Sequence, residues 1–326
     1  MQTVDDSASA TLGVPNAGVS TGGTLAGRPA RSQSELAGEL RRRRSPAGDA
    51  VRSLRRQPLA LAGLAIVLTW LLLGLLAPVL PIDDPNFIDT SQKLQPPSAT
   101  HPFGTDDLGR DMISRVIYGA RISVPSGIIV ILCTGSFGCL VGAIAGYFRG
   151  KLDTIIMRFA DAVLSFPSII LAMAITAASP FSDKRLYNAL IAVGLVLWPE
   201  YARVMRGQVL AISTNEFVTA AEAIGASRFR VLLRHILPCT DAPIIVKATL
   251  DVGSAIVLTA GLSFIGLGAV PPNPEWGAMI KAGADKGVQY WWYAAVPGLA
   301  IMSVVMALNF FGDGLRDALD PRQRGR

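Results

Sequence analysis

Six apolar blocks decide what this chain can fold into. They cover residues 59–80, 122–147, 155–179, 187–204, 244–267 and 292–311. A bilayer offers the backbone no water, so each crossing must satisfy its own hydrogen bonds, and a helix of about 20 apolar residues does so. The blocks therefore predict an all-α integral membrane protein with six transmembrane helices. Of the 326 residues, 51% are hydrophobic and only 17% charged, too apolar a balance for an ordinary soluble domain. The first block lies too far from Met1, and is too long, for a cleaved signal peptide.

A net charge of +6 fits nucleic acid or loops beside anionic lipid, and the apolar blocks select the second. Residues 1 to about 50 are rich in Ser, Ala, Gly, Thr and Arg without an apolar period, the composition of a disordered tail. RRRR at 41–44 and RSLRR at 52–56 close it. Arg just before a first span holds that end in the cytoplasm, and six crossings return the C-terminus to the same side. Arg149, Lys151 and Arg158 fall on that side, as do Arg203, Arg206, Arg228, Arg230 and Arg234, and the Arg-rich end after Phe311. The opposite side carries Asp83, Asp84, Asp89, Asp106, Asp107 and Asp111, with Arg110, Arg115 and Arg121 among them.

Between blocks four and five runs TAAEAIGASRFRVLLRHILP, residues 219–238. Ala220, Ala221, Ala223 and Ala226 form helix with almost no side-chain bulk, and Gly225 interrupts them. Phe229, Leu232, Leu233 and Ile236 then recur at helical spacing, with Arg228, Arg230 and Arg234 on other faces. Pro238 stops the helix at the next span. The expectation is a helix, a glycine bend and an amphipathic helix. A small-faced helix can enter a groove closely and transmit force from another protein; a plain surface connector has the same pattern. The residues alone leave both readings open.

This stretch resembles the coupling-helix motif of ABC importer permeases, which sets an Ala pair, a Gly and a closing hydrophobic-Leu-Pro in order. The matching positions are Ala220, Ala221, Gly225, Ile236, Leu237 and Pro238. Thr219 stands where the family usually has Glu, and Glu222 follows three residues later. HPFGTDDLGRDMISRVIYGARIS (101–123), WPEYARVMRGQVL (198–210), LSFIGLGAVPPNPEWGAMI (262–280), WWYAAVPGLAI (291–301) and NFFGDGLRDALDPR (309–322) resemble successive segments of the C-type permease of dipeptide, oligopeptide and nickel importers. Together they cover most of residues 58–322; the first 50 residues have no such counterpart.

The resemblance implies a type I ABC importer permease in the bacterial cell membrane with both termini cytoplasmic. It divides the chain into a basic cytoplasmic tail (1–57), a first helix and extracytoplasmic loop (58–121), a transmembrane core (122–312) with the coupling helix at 215–237, and a cytoplasmic C-terminal tail (313–326). The implied partners are a homologous B-type permease, two cytoplasmic P-loop ATPase subunits or domains, an extracytoplasmic substrate-binding protein and membrane lipid, with no nucleic acid. The implied ATPase contacts are Thr219, Ala220, Ala221, Glu222, Gly225, Ala226, Arg228, Arg234, His235 and Pro238. Asp251, Ser254, Thr259 and Ser263 are candidates for the translocation path. The implied cargo is short peptides, with nickel or another small solute as the alternative. A gradient-driven secondary transporter is the rival of another class, and would need intramembrane acids or paired broken helices.

No P-loop occurs: AGYFRGKL has Ala145 where the first Gly is required and Leu152 where Ser or Thr is required. Nor is there a nucleophile elbow or an HExxH. The chain is thus expected to bind no cofactor and to be no enzyme, with ATP and Mg on the partner ATPases. His101 and His235, on opposite sides, cannot share a metal. Cys133, Cys139 and Cys239 read as small packing residues. Asp106 and Asp111 are expected to cap short helices and to pair with Arg110 and Arg115. Asp251 lies in or near span five; it is either a pathway group or a hydrated interfacial acid. Thr259 stands where a family acid is expected. Gly253, Gly261, Gly266 and Gly268 predict close packing of that span on a partner or around the path. Trp291, Trp292 and Tyr293 read as an interfacial aromatic belt rather than a substrate platform. Pro167 is expected to kink span three.

Overall fold

The computed structural model describes Gly48 and residues 52–179 and 184–319. The Arg run at 41–44, most of the expected N-terminal tail and the final residues 320–326 lie outside the described residues. The described part is helical, with no strand and one isolated β-bridge, Thr105–Asp111. We label the helices α1 (Pro58–Leu76), α2 (Met112–Phe148), α3 (Gly150–Leu164), α4 (Ser168–Ala178), α5 (Arg185–Ile212), α6 (Glu216–Ala223), α7 (Arg228–Val231), α8 (Asp241–Ile265), α9 (Trp276–Ala284) and α10 (Trp291–Leu319).

Four of these elements are long and apolar enough to cross a membrane: Pro58–Val79, Met112–Phe148, Asp241–Ile265 and Val288–Leu319, or five if the pair α3–α4 counts as one. That differs from six spans in two places. The expected third span is two helices meeting at 94°. Pro167 is the cause: it disfavours helical geometry at Phe166 before it, and the chain turns at residues 165–167. Before the turn, α3 is amphipathic, with Leu152, Ile155 and Phe159 exposed in one stripe beside Lys151 and Arg158. The expected fourth span is α5, which has 28 residues but carries Glu200, Arg203 and Arg206 in its second half.

Helix α2 has 37 residues and starts at Met112 rather than near residue 122. Asp111 sets this start, because its carboxylate accepts from Ser114 N at 2.9 Å. So Asp111 caps a long helix, not a short one, and its other oxygen lies 3.0 Å from His101 Nδ1 instead of pairing with Arg110 or Arg115. At 1.5 Å per residue α2 is about 55 Å long, well beyond a hydrocarbon core. Its main seam is with α5. Gly135, Gly138, Gly142 and Gly146 share one face of α2, and a Cβ on any of them would press on Trp198, Tyr201, Ala202 or Arg206. Glycine at this spacing lets two membrane helices approach to backbone contact, where dispersion replaces the hydrophobic drive that lipid removes. Ala60, Gly63, Val67 and Gly74 form the buried stripe of α1, and Trp70 Nε1 donates to Ser303 Oγ of α10 at 2.9 Å.

The glycines of α8 act within the chain. Gly253 faces Val305 of α10 and Gly261 faces Ile169 of α4. Gly266, at φ 94°, closes α8, with Leu267 N donating to Leu262 O at 2.9 Å, the left-handed end that glycine adopts without a Cβ clash. Gly268 packs back on Ser263.

At the acid-rich end a second layer closes the bundle. Glu275 caps α9, accepting from Gly277 N at 3.0 Å and Ala278 N at 2.9 Å. Burial pushes its carboxyl above the ordinary Glu value in spite of those donors. Trp276, fully buried, donates from Nε1 to Val116 O at 2.9 Å. Of the three residues read as an aromatic belt, Trp291 is exposed. Trp292 is buried and donates to Thr105 O at 3.2 Å, and Tyr293 OH donates to Asp107 Oδ1 at 3.0 Å. Their polar tips find fixed partners in the outer loop, so they pin that loop to the bundle.

Candidate functional site

The stretch after α5 folds as helix, glycine bend, helix. Gly225 sits at φ 85° just after α6, and its N–H donates to Glu222 O at 3.0 Å while Ala226 N donates to Ala221 O at 3.1 Å. α7 then widens into a π-turn over Leu232–Ile236 and a 3-10 turn over Leu237–Cys239. Pro238 lies in that last turn, and α8 starts three residues after it, at Asp241.

One face of this unit is anchored. Val218, Ala221, Val231, Leu232 and Ile236 are buried against Ala143 of α2 and Met205 and Val209 of α5. The opposite face is open and apolar: Ile224 is 87% exposed, Phe229 58% and Phe217 44%, with Thr219, Ala220 and Ala223 beside them also exposed. Isolated exposed apolar side chains are ordinary, but here three stand on one loop that is held from behind.

The ten residues expected at the ATPase contact divide between these faces. Thr219, Ala220, Gly225, Arg228, Arg234 and Pro238 are exposed. Ala221 points into the bundle, while Ala226 and His235 are half-buried. Thr219 lies inside α6, whose N-cap is Asn215, so its hydroxyl does not cap the helix. Glu222 turns back, accepting from Tyr147 OH at 3.0 Å.

The four path candidates do not share a surface. Ser254 is exposed on α8. Thr259 and Ser263 are buried, and Ser263 Oγ accepts from Ala269 N at 3.3 Å. Asp251 is neither bare nor simply hydrated: it pairs with Lys247 Nζ at 2.8 Å, which also pairs with Glu200 at 2.8 Å and lies 5.1 Å from the centre of the Tyr201 ring. Lys247 escaped the sequence reading; its signal was the four-residue spacing to Asp251, an ordinary helical ion-pair distance. Arg206, with Nε 2.5 Å and Nη2 2.7 Å from the carboxylate of Asp153, joins α5 to α3. Cys133, Cys139 and Cys239 are free thiols, Cys139 half-buried and the other two exposed. Among the described residues no group of His, Cys, Asp and Glu is placed to hold a metal.

Residues 138–325 match the family described as binding-protein-dependent transport system inner membrane component, and residues 45–97 match the N-terminal TM domain of oligopeptide transport permease C. The probable D,D-dipeptide transport system permease protein DdpC of Escherichia coli is 44% identical over 273 residues, 84% of this chain and 91% of that protein. The dipeptide transport system permease protein DppC of Alkalihalophilus pseudofirmus is 43% identical over 280 residues, 86% of this chain and 91% of its own. The glutathione transport system permease protein GsiD of Shigella boydii is 41% identical over 283 residues, 86% of this chain and 92% of its own. A chain from inward-facing structures of the MetNI methionine ABC transporter has the same fold, with TM-score 0.51 and 19% identity over 64% of this chain and 98% of that one.

Proposed function

This chain belongs to the family of binding-protein-dependent transport system inner membrane components, and on that premise we propose how it works. It is a non-catalytic membrane permease subunit of an ATP-driven importer. The proposed cargo is short peptides, which the names of its relatives support; nickel or another small solute is the second reading. The proposed assembly joins this chain to a B-type permease, two P-loop ATPase subunits or domains and an extracytoplasmic binding protein, with ATP and Mg held by the ATPases and no cofactor on this chain. ATP closure would move the docked loop and switch the path between inward and outward access.

The observation that carries the docking role is the loop anchored by Val218, Val231 and Ile236 with its apolar face left open. A gradient-driven carrier needs an intramembrane acid free to take up its ion. Asp251, midway along α8, is instead paired with Lys247. Of the path candidates, Ser254 is the one whose side chain stays open to a second permease.

Co-purification from membranes in mild detergent tests the assembly. A second permease and P-loop ATPases should accompany the tagged chain, with hydrolysis stimulated by a peptide-loaded binding protein. A lone chain without nucleotide-dependent uptake would end the importer reading.

Six crossings are proposed, counting the bent pair and α5, with both termini and α6 in the cytoplasm. The 28 residues of α5 reach about 42 Å, and its charges gather toward the Arg-rich end. In a background lacking Cys133, Cys139 and Cys239, Ser98→Cys is expected to react with an impermeant thiol reagent in intact cells, and Ser227→Cys to stay unlabelled until the cells are opened. The reverse pattern would invert the topology.

A further inference from the structure

The corner between α2 and α3 is a built joint. Phe148 ends α2, Arg149 has φ 52° and Gly150 has φ 66°. Left-handed geometry is ordinary for Gly150 but strained for Arg149, and such strain persists only where surrounding contacts hold it. Those contacts are present. Arg149 Nη2 donates to Ser213 Oγ at 2.9 Å, just before α6. Tyr147 OH donates to Glu222 on α6 at 3.0 Å. One turn into α3, Asp153 accepts two hydrogen bonds from Arg206 of α5, a bidentate pair that fixes orientation as well as distance. An open groove of about 520 Å³, lined by Tyr147, Arg149, Ser213 and Glu222, lies between the corner and the loop beside these two bridges.

What the joint holds is one arm of the bent pair. Past the 94° elbow, α4 runs into the bundle and packs on α5 and α8. The arm α3 packs on α2 and α5 and starts at the corner that Tyr147 and Arg149 bridge to the docking loop, while the arm α4 packs beside α8, the helix bearing Asp251 and Ser254. An elbow held at one arm can pass a displacement to the other, because packed elements shift as units rather than deform.

We propose that the α2–α3 corner is the drive link of this permease: Tyr147–Glu222 and Arg149–Ser213 tie the corner to the docking loop, Arg206–Asp153 ties α3 to α5, and movement of α6 swings α4 against α8. Tyr147, Arg149, Asp153 and Arg206 are positioning residues and touch neither nucleotide nor cargo. This rests on the docking reading.

The test uses the complete transporter reconstituted with its ATPases and binding protein. Arg206→Asp and Asp153→Arg are each expected to keep stimulated ATP hydrolysis within about twofold of the wild type while uptake per ATP falls at least about fivefold, because each leaves two like charges facing. The double variant Arg206→Asp/Asp153→Arg restores the pair in reverse and should recover most of the lost coupling. Tyr147→Phe, which removes one hydroxyl, should lower uptake per ATP by a smaller factor. A pair that merely stabilised the fold would lower hydrolysis and uptake in proportion, and that result overturns the drive link. So does a single charge variant with wild-type uptake per ATP, or a double variant without recovery. A wild-type complex that hydrolyses ATP without uptake overturns the importer reading together with this inference, so the two failures are distinguishable.

Discussion

Gly225→Pro is expected to assemble with its partners yet lose at least about tenfold in uptake, because proline fixes φ near −65° and removes an N–H. Gly225 stands at φ 85°, and its N–H donates to Glu222 O at 3.0 Å. Proline therefore breaks the turn in two ways and re-aims α7 relative to α6. Side-chain bulk is not the cause, since a Cβ at this position meets nothing within 4 Å. Gly225→Asn separates direction from bulk: asparagine tolerates left-handed geometry better than most residues, so it should keep most of the uptake. Measuring ATP hydrolysis and peptide uptake side by side checks the expectation. Normal uptake by Gly225→Pro would remove the docking role from this loop.

Asp106→Ala is expected to cost about 3–5 kcal/mol of stability, the usual consequence of removing one member of a buried ion pair. The Asp106 carboxylate is fully buried. It accepts from Leu108 N at 2.8 Å, Arg110 N at 3.0 Å and Arg110 Nε at 2.6 Å, and lies 3.4 Å from Arg115 Nε. Arg115 has little room to leave, since its Nη1 donates to Pro85 O at 2.8 Å from deep inside the loop. Alanine leaves two buried guanidinium groups without their shared anion, and total stabilities are only about 5–15 kcal/mol. The variant should therefore unfold many degrees earlier in detergent and be recovered poorly from membranes. Asp84→Ala is the control: exposed, with one local bond to Asn86 N at 2.7 Å, it should change stability by no more than about 0.5 kcal/mol. Equal unfolding temperatures for the two would mean that the charge cluster does not hold the loop.

Nearby, burial works to raise the Asp107 carboxyl, but the Lys286 ammonium at 3.1 Å and the Tyr293 hydroxyl outweigh it and hold the group below the ordinary carboxylate value. Tyr293 belongs to α10, so the acidic loop and the last long helix are joined at this carboxylate.

Helical class, apolar blocks, the sign of charge at each end and the glycine bend at Gly225 could all be read from neighbouring residues alone. Each is a local property: an apolar run must be helical in lipid, arginines partition by side, and a Gly between two helical patterns marks a turn. The break at Pro167 was legible as a kink, but the 94° turn was not, because the direction of α4 is set by α5 and α8 on which it packs. Trp292 and Tyr293 had the composition of an interfacial belt, and only the fold brings Thr105 and Asp107 within reach of their polar tips. Gly253 announced close approach without saying to what; Val305, in another helix of the same chain, is one such neighbour. Glu200–Lys247, Asp153–Arg206 and Tyr147–Glu222 are 47, 53 and 75 residues apart, beyond any helical period. Periodicity states which face of a helix must be covered; which face covers it is decided by how whole helices pack.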